Sequence, residues 1–416
     1  MSDAEPIRRA AAVERLLELR AARPDAPTER VELAAAAGRT LAEPVVAGRD
    51  VPERDRATMD GFALAADDDY PLTVVGEVFP EDDAPTIRRG EAVEIATGAP
   101  LPPEADAVLM REDATVGDGR LSGPSLASGT NVYPAGATAA AGERLLSAGE
   151  TVDPRHAALL RDVGADAVTA ERRLSVGVLA TGTEIREGRQ PDRDSEMLAN
   201  LVRRWGHRAA ILDAVPDEEA AVREGIEAAA ADHDAVLTTG GTSVGHADHV
   251  VGVLAEHETL FRGVALRPGR PVAAATVRGT PVFALPGKPM AAHAAATLVL
   301  RPYFVGRDRL PTVEATCAAR VTLPGGENEY EYAIPVTLED GSGPAVGPGA
   351  GSELTDPPTA TPLGHAASSF PLYGERFAPG RVASSTRIAL ADGVVLTRAA
   401  VEKGERVAVV PYGVVE

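Results

Sequence analysis

Hydrophobic and polar positions along the chain fall into three regimes. Residues 4–36 carry two helical patterns, and Val13, Leu16, Leu17 and Leu19 mark one apolar face of the first. From about 44 to 133 the pattern becomes short β-like runs broken by Gly, Pro and Asp, such as Leu72-Thr73-Val74-Val75, Ala92-Val93-Glu94-Ile95 and Ala107-Val108-Leu109-Met110. Helical spacing returns at 154–163, so the β region reads as an insertion within a helical one. Between about 174 and 306 strands and helices alternate. Strands are expected at 175–180, 209–212, 235–239, 271–276 and 281–285, and helices at 195–205, 217–231, 246–257 and 289–300. Such alternation predicts a mostly parallel, doubly wound sheet with helices on both faces. Beyond 310 the chain is rich in Pro and Gly, with β runs at 318–323, 382–390 and 407–410 that read as a second small β domain. The stretch 341–358 is loop-like, and no internal repeat is visible.

The fold class is therefore α/β multidomain, built around a central doubly wound domain. The expected division is a helical part at 1–45 plus 138–172, an inserted β domain at 46–137, the α/β domain at 173–308 and a C-terminal β domain at 309–416. A chain of 416 residues is long enough for three or four domains of ordinary size.

Composition narrows the function classes. No run of about 18 apolar residues suggests a membrane span, and the acid-containing residues 1–20 read as an amphipathic helix, not a signal peptide. One cysteine, Cys317, excludes an internal disulfide framework and a cysteine metal cage. A cytoplasmic protein is the expectation. A net charge of −21 argues against direct nucleic-acid binding, because the whole-protein field repels phosphate backbones. Lys288 and Lys403 are the only lysines. Acid excess with scarce lysine suits a high-salt cytoplasm, where the Debye length falls to about 3 Å at molar salt; a GC-rich genome is the alternative source of the same bias.

Candidate chemistry sits at strand ends. The strand Ala235-Val236-Leu237 runs into Thr238-Thr239-Gly240-Gly241-Thr242-Ser243-Val244-Gly245-His246-Ala247-Asp248. Glycines there let the backbone turn at positive φ and approach a ligand, and a following helix aims N–H groups at the same place. Taken alone, a glycine-rich strand end is also a plain turn. Three such elements, 181–184, 239–245 and 285–289, all fall at the carboxyl ends of strands and should converge on one rim of the sheet.

Five segments, in order, resemble the MoeA family of molybdopterin molybdenumtransferases. They are Ala57-Thr58-Met59-Asp60-Gly61-Phe62-Ala63, Ile95-Ala96-Thr97-Gly98-Ala99-Pro100-Leu101-Pro102, Ala180-Thr181-Gly182-Thr183-Glu184, the run from Gly240 to Asp248, and Leu285-Pro286-Gly287-Lys288-Pro289. The resemblance implies four domains, an elongated homodimer, and active sites between the doubly wound domain of one subunit and other domains of its partner. It implies molybdenum insertion into adenylated molybdopterin with release of AMP, using molybdate and Mg2+. Other proteins of molybdenum cofactor synthesis are the partners it suggests. By position, it makes Asp60, Thr97, Glu184, Asp217 and Asp248 catalytic, with the four acids as metal ligands. Hard carboxylate oxygens suit Mg2+, which bridges a pyrophosphate. The substrate-binding set it implies is Thr181, Gly182, Gly240, Gly241, Ser243, Gly245, Pro286, Gly287, Arg267, Arg270 and Lys288.

Each residue also has a plain structural reading. Asp217 follows Val215-Pro216 and opens a helix, so it serves as an N-cap or a ligand. Asp60 before Gly61 is an ordinary turn pair, Glu184 a solvated loop acid, and Thr97 a turn hydroxyl. His246, Asp248 and His249 are close in sequence, but their spacing reads as a solvated helix face more readily than as a metal cluster.

The chain departs from the family pattern at several places. Asn-Val-Arg-x-x-Gly-Glu-Asp is here Asn131-Val132-Tyr133-Pro134-Ala135-Gly136-Ala137-Thr138, without the arginine and both acids. Thr-Gly-Asp-Glu has Thr183 in place of Asp, and Ser195-Glu196 stands where Ser-Asn is usual. Lys-Pro-Gly-Lys-Pro has become Arg267-Pro268-Gly269-Arg270-Pro271; both charges persist, but guanidinium is a planar fork and not a point charge. Ala291 lacks a hydroxyl and Lys288 adds a cation. Two readings follow: a working insertase with a remodelled molybdate pocket, or a non-catalytic carrier or scaffold that binds molybdopterin. Nothing in the sequence distinguishes molybdate from tungstate.

Overall fold

The computed structural model describes residues 5–22, 28–240, 249–325, 329–339 and 357–416. The chain divides into two compact units, Ala26–Arg172 on the one hand and Met1–Asp25 with Arg173–Glu416 on the other.

In the unit Ala26–Arg172, six strands form one sheet in the order Ala107–Met110, Gly61–Leu64, Glu91–Ile95, Leu72–Val78, Arg120–Ser122, Thr115–Gly117. Successive side chains in a strand point to opposite faces. Phe62, Leu64, Ala92 and Leu109 accordingly bury into one cluster, and Ala63, Val93, Ile95 and Val108 into another. Gly61 lies where two strands touch: a Cβ there would stand 1.9 Å from the Leu109 carbonyl oxygen.

A further cluster, with Val31, Leu33, Leu41, Leu146, Leu160 and Val168, is built by the antiparallel pair Thr28–Glu32 with Ala167–Glu171 and the helix His156–Asp162. The second helix expected within 4–36 is thus absent among the described residues. The strand Thr28–Glu32 and one 3-10 turn, Leu33–Ala35, occupy that stretch. Val31 opposite Val168 explains the outcome: a β-branched residue favours strand once a partner strand exists.

The other unit holds the doubly wound sheet. Its order is Arg208–Ile211, Ser175–Ala180, Ala235–Thr239, Thr280–Leu285, Ala273–Val277, Glu258–Arg262. The first four strands are parallel and the last two add an antiparallel edge. Alternation again sorts the faces. Val176, Val178, Leu237 and Phe283 pack with Leu198 and Val202 of the helix Ser195–Arg204, while Leu179, Val236 and Val282 pack with Val222 and Ile226 of the helix Glu219–Asp232. The helix expected at 289–300 continues through a π-turn, Ala296–Leu300, into Arg301–Val305. The N-terminal helix Arg9–Ala21 buries Ala12, Val13 and Leu16 and packs against Arg301–Val305, whose carbonyls at Tyr303 and Phe304 accept from Arg20 Nη1 at 2.6 and 2.8 Å.

The C-terminal strands form a sheet that closes on itself: Glu331–Glu339 pairs with both Thr359–Pro362 and Gly393–Thr397, and Val313–Cys317 and Arg406–Pro411 complete the ring. Two expected strands differ. Residues 382–390 are the helix Pro379–Ser384 and the 3-10 turn Thr386–Leu390, since Pro379 in the first turn pre-sets a helical φ. Within 318–323 only Val321 and Thr322 make isolated bridges, and the strand lies earlier, at Val313–Cys317. No helix among the described residues is long and apolar enough to cross a membrane.

The contact at Gly61 yields a test. Gly61→Ala should lower stability by about 1–3 kcal/mol, the usual cost of overpacking, in chemical denaturation. Gly117→Ala, with nothing within 4 Å of its Cβ, should change it by less than about 0.5 kcal/mol.

Candidate functional site

Ser175–Ala180 lies between Arg208–Ile211 and Ala235–Thr239, so the chain leaves it first toward one edge of the sheet and then toward the other. Ligands of doubly wound sheets bind in the crevice outside the carboxyl ends of strands at such a reversal. Thr181, Gly182 and Gly240 stand in that crevice.

Three strand ends meet there backbone to backbone. Gly240 has φ +88°, and a Cβ on it would lie 2.4 Å from the Thr181 carbonyl oxygen. A Cβ on Gly287 would lie 3.1 Å from the Cα of Gly240. The Thr181 amide donates to the Thr239 carbonyl at 2.9 Å. A cleft of about 250 Å³ opens at this junction, lined by Thr181, Gly182, Glu184, Asp192, Asp194, Asp217, Gly240 and Gly287 among others.

Two of the expected acids share this cleft. Glu184, half-buried in the short turn Thr183–Arg186, folds its carboxylate over Gly182, where a Cβ would come within 3.3 Å of it. The Asp217 amide donates to Thr183 Oγ1 at 3.1 Å. Its Oδ1 is buried without a hydrogen-bond partner among the described residues. Asp217 does not cap the helix after it, because that helix is Glu219–Asp232, its N-cap is Glu218, and no side chain caps it.

Asp194 is a site residue that the sequence did not disclose. Only 7 % exposed, it accepts from Thr239 Oγ1 at 2.9 Å on Oδ2, while Oδ1 has no partner among the described residues. Burial pushes its carboxyl pKa up, the Thr239 bond pulls it back, and neighbouring Asp192 raises it. Leaving a buried acceptor unmatched costs about 1–3 kcal/mol. The only signal in the sequence is an acid just before a helix, which ordinarily means a cap.

Asp60 and Thr97 belong to the other unit and are bonded to each other. The Thr97 hydroxyl and amide both donate to Asp60 Oδ1 at 2.7 Å. Those bonds, with Arg111 nearby, hold the exposed Asp60 carboxyl below the ordinary range. Thr97 therefore does more than complete its own turn.

Arg267 stacks on Tyr330, its guanidinium carbon 3.7 Å from the ring centroid, with Arg270 at 6.0 Å from the same ring. Neither arginine lines the cleft; the strand Leu266–Arg267 pairs with Glu331 and Tyr332 of the closed C-terminal sheet. No motif in the sequence marks Tyr330. Pro286 is buried, and Lys288 is exposed at the N-cap of Pro289–Ala295. Gly241, Ser243, Gly245 and Asp248 lie outside the described residues.

Among the described residues, no three His, Cys, Asp or Glu side chains are placed to hold one metal ion. Mg2+ needs less than that from a protein. It takes one or two carboxylates and completes its shell with water and substrate phosphates. Glu184 and Asp217, with the orphaned Asp217 Oδ1, fit such a partial shell.

A family model described as the MoeA N-terminal region (domain I and II) matches residues 7–164, and one described as a probable molybdopterin binding domain matches 177–305. The chain is 30% identical over 300 residues to a putative molybdopterin biosynthesis protein of Methanocaldococcus jannaschii, spanning 68% of this chain and 75% of that protein. It is 32% identical over 282 residues to the molybdopterin molybdenumtransferase of Haemophilus influenzae, spanning 64% and 69%. The solved MoeA molybdopterin biosynthesis protein of Pyrococcus horikoshii superposes with a TM-score of 0.73 at 26% identity, over 98% of this chain and 99% of that one.

The Asp194 geometry sets a pH dependence. A carboxyl whose folded pKa is raised above its ordinary 3.8 binds its proton more tightly folded than unfolded. Its contribution is complete below that value and is lost as pH climbs through the folded pKa. The stability difference between Asp194→Asn and wild type should therefore shift toward the variant over that rise, in urea melts run across the range.

Proposed function

Because the chain belongs to the MoeA family of molybdopterin molybdenumtransferases, we propose that it inserts molybdenum into adenylated molybdopterin and releases AMP. The family places the protein in molybdenum cofactor biosynthesis. In the proposed reaction water adds across the phosphoanhydride between molybdopterin and AMP, so that AMP leaves and the phosphate monoester stays on molybdopterin. The dithiolene sulfurs displace oxo ligands of molybdate, the substrate, and those ligands leave as water with the thiol protons.

The observation that carries this reading is the cleft itself. Its backbone-to-backbone junction at Gly240 and Gly287 lies at the carboxyl ends of the strands, where doubly wound sheets bind their ligands. Glu184 and Asp217 would hold Mg2+ there, which neutralises charge on a pyrophosphate when bound. The reading gives Asp60, Thr97 and Asp248 a part in the same reaction, and Arg267, Arg270 and Lys288 a part in binding oxyanions. It carries with it the four-part division at 1–45 plus 138–172, 46–137, 173–308 and 309–416, a homodimer, and a cytoplasmic setting.

The carrier alternative rests on the missing acids at Ala137 and Thr138. One of them has a structural counterpart. Tyr133 Oη lies 2.9 Å from Thr138 Oγ1, so the positions where the family has Arg and its second acid face each other as a neutral pair. Thr183, in place of the family's Asp, still offers a side-chain oxygen to the Asp217 amide. Nothing in the structure explains Ala137.

In molar potassium chloride, with adenylated molybdopterin, magnesium and molybdate, wild type should release AMP and bind molybdenum in equal amounts. Asp217→Asn should slow AMP release by about 100-fold or more, the scale of losing one preorganised charge contact. Tyr133→Phe should cost less than about fivefold in rate and about 1 kcal/mol in stability. Tight molybdopterin binding without AMP release would favour the carrier.

A further inference from the structure

Asp194 is a buried carboxylate with no structural employment that accounts for it. It occupies the N-cap position of Ser195–Arg204 yet makes no side-chain cap bond. Asp192 does that work instead, its Oδ1 accepting from the amides of Asp194 and Ser195, both at 3.0 Å. Thr239 supplies a single bond to Oδ2. The remaining oxygen, Oδ1, is buried, unmatched among the described residues, and belongs to a residue that lines the cleft. An unmatched acceptor in a cleft calls for a ligand that brings donors.

The proposed substrate narrows which donors. Phosphates and dithiolene sulfurs are anionic and repel a carboxylate. The adenine edge offers one amino group beside an acceptor nitrogen, so a carboxylate gains one bond there and meets one repulsion. The 2-amino-4-oxopyrimidine edge of a pterin offers two parallel N–H donors, from the ring N3 and the 2-amino group. That pair matches both oxygens of a carboxylate, and Oδ2 retains a lone pair beside its bond from Thr239.

We propose that Asp194, held by Thr239, reads the 2-amino-4-oxopyrimidine edge of the pterin in the cleft between the ends of Ser175–Ala180 and Ala235–Thr239. Asp194 is a specificity residue, and it accepts two hydrogen bonds without entering the bond-breaking step. The assignment rests on the molybdopterin reading of the cleft.

The full-length protein is titrated with 6-hydroxymethylpterin, with the matching lumazine whose 2-amino group is an oxo group, and with AMP. A site built around donors rejects an analogue that lacks one, so wild type should prefer pterin over lumazine by roughly tenfold or more. Asp194→Asn, whose amide can donate to the 2-oxo group, should erase or invert that preference and leave AMP affinity within about twofold. Asp194→Ala should lose pterin without gaining lumazine. The preference in wild type is itself a test that needs no variant to fold.

Equal binding of pterin and lumazine by wild type overturns the assignment, as does parallel loss of pterin and AMP in Asp194→Asn. AMP release from adenylated molybdopterin is followed on the same preparation. Release without pterin–lumazine discrimination overturns the Asp194 role alone. Neither release nor pterin binding overturns the molybdopterin reading together with it. Discrimination without release supports the role of Asp194 and places it in a carrier.

Discussion

The structure of the cleft depends on a backbone contact that tolerates no side chain. Gly240, at φ +88°, stands against the Thr181 carbonyl on one side and Gly287 on the other. Because the three strand ends close on one another, the turns that follow start from fixed points. Thr181 bridges to Val215, which carries the chain to Asp217, and the Thr183 hydroxyl takes the Asp217 amide. Thr239, one residue before Gly240, anchors Asp194. Glu184 and Asp194, from the connection between Ser175–Ala180 and Ser195–Arg204, and Asp217, from the one after Arg208–Ile211, therefore arrive in one cleft fixed by the same junction. Local sequence sets the strands, the glycines set the junction, and the junction sets the chemistry.

A cleft lined by acids is an unusual place for an anionic substrate, all the more in a chain of net charge −21. Two physical facts resolve the conflict. A divalent cation shared between carboxylates and phosphates turns mutual repulsion into a bridge. In a high-salt setting, where the Debye length is about 3 Å at molar salt, charges on the outer surface would cease to matter inside the cleft. The electrostatic demand then falls on the few carboxylates in direct contact, and the proposed specificity rests on their individual hydrogen bonds.

Much of this was legible in the chain. Alternation of period 2 and 3.6 located the doubly wound sheet and the inserted β sheet, since burial on opposite faces leaves that imprint directly. Glycines after three strands pointed to one rim. The illegible parts share a cause in tertiary partnership. Residues 28–32 carry a pattern compatible with helix, and only Ala167–Glu171, more than a hundred residues away, makes them a strand. Residues 382–390 look like a β run until Pro379 starts a helix. Asp194 reads as a cap because sequence shows the helix behind it but not that Asp192 has already met the free amides. Tyr330 is an unremarkable aromatic until Arg267 lies on its face.

The departures from the family pattern sort by what each side chain faces. Tyr133 and Thr138 face each other, so a charged pair can become a neutral one with the turn intact. Thr183 faces a backbone amide, which donates to a hydroxyl or a carboxylate oxygen alike. Positions of this kind can change chemistry because their partner is protein and the bond survives the exchange. Glu184 and Asp217 line a cleft, and Asp217 Oδ1 meets no protein donor among the described residues. Under the proposed function the group that matches Asp217 Oδ1 enters from outside, so no exchange within the protein would compensate a loss there. The chain keeps acids at those two positions and sheds charge at Tyr133, Thr138 and Thr183, where protein faces protein, which is the pattern the proposed function requires.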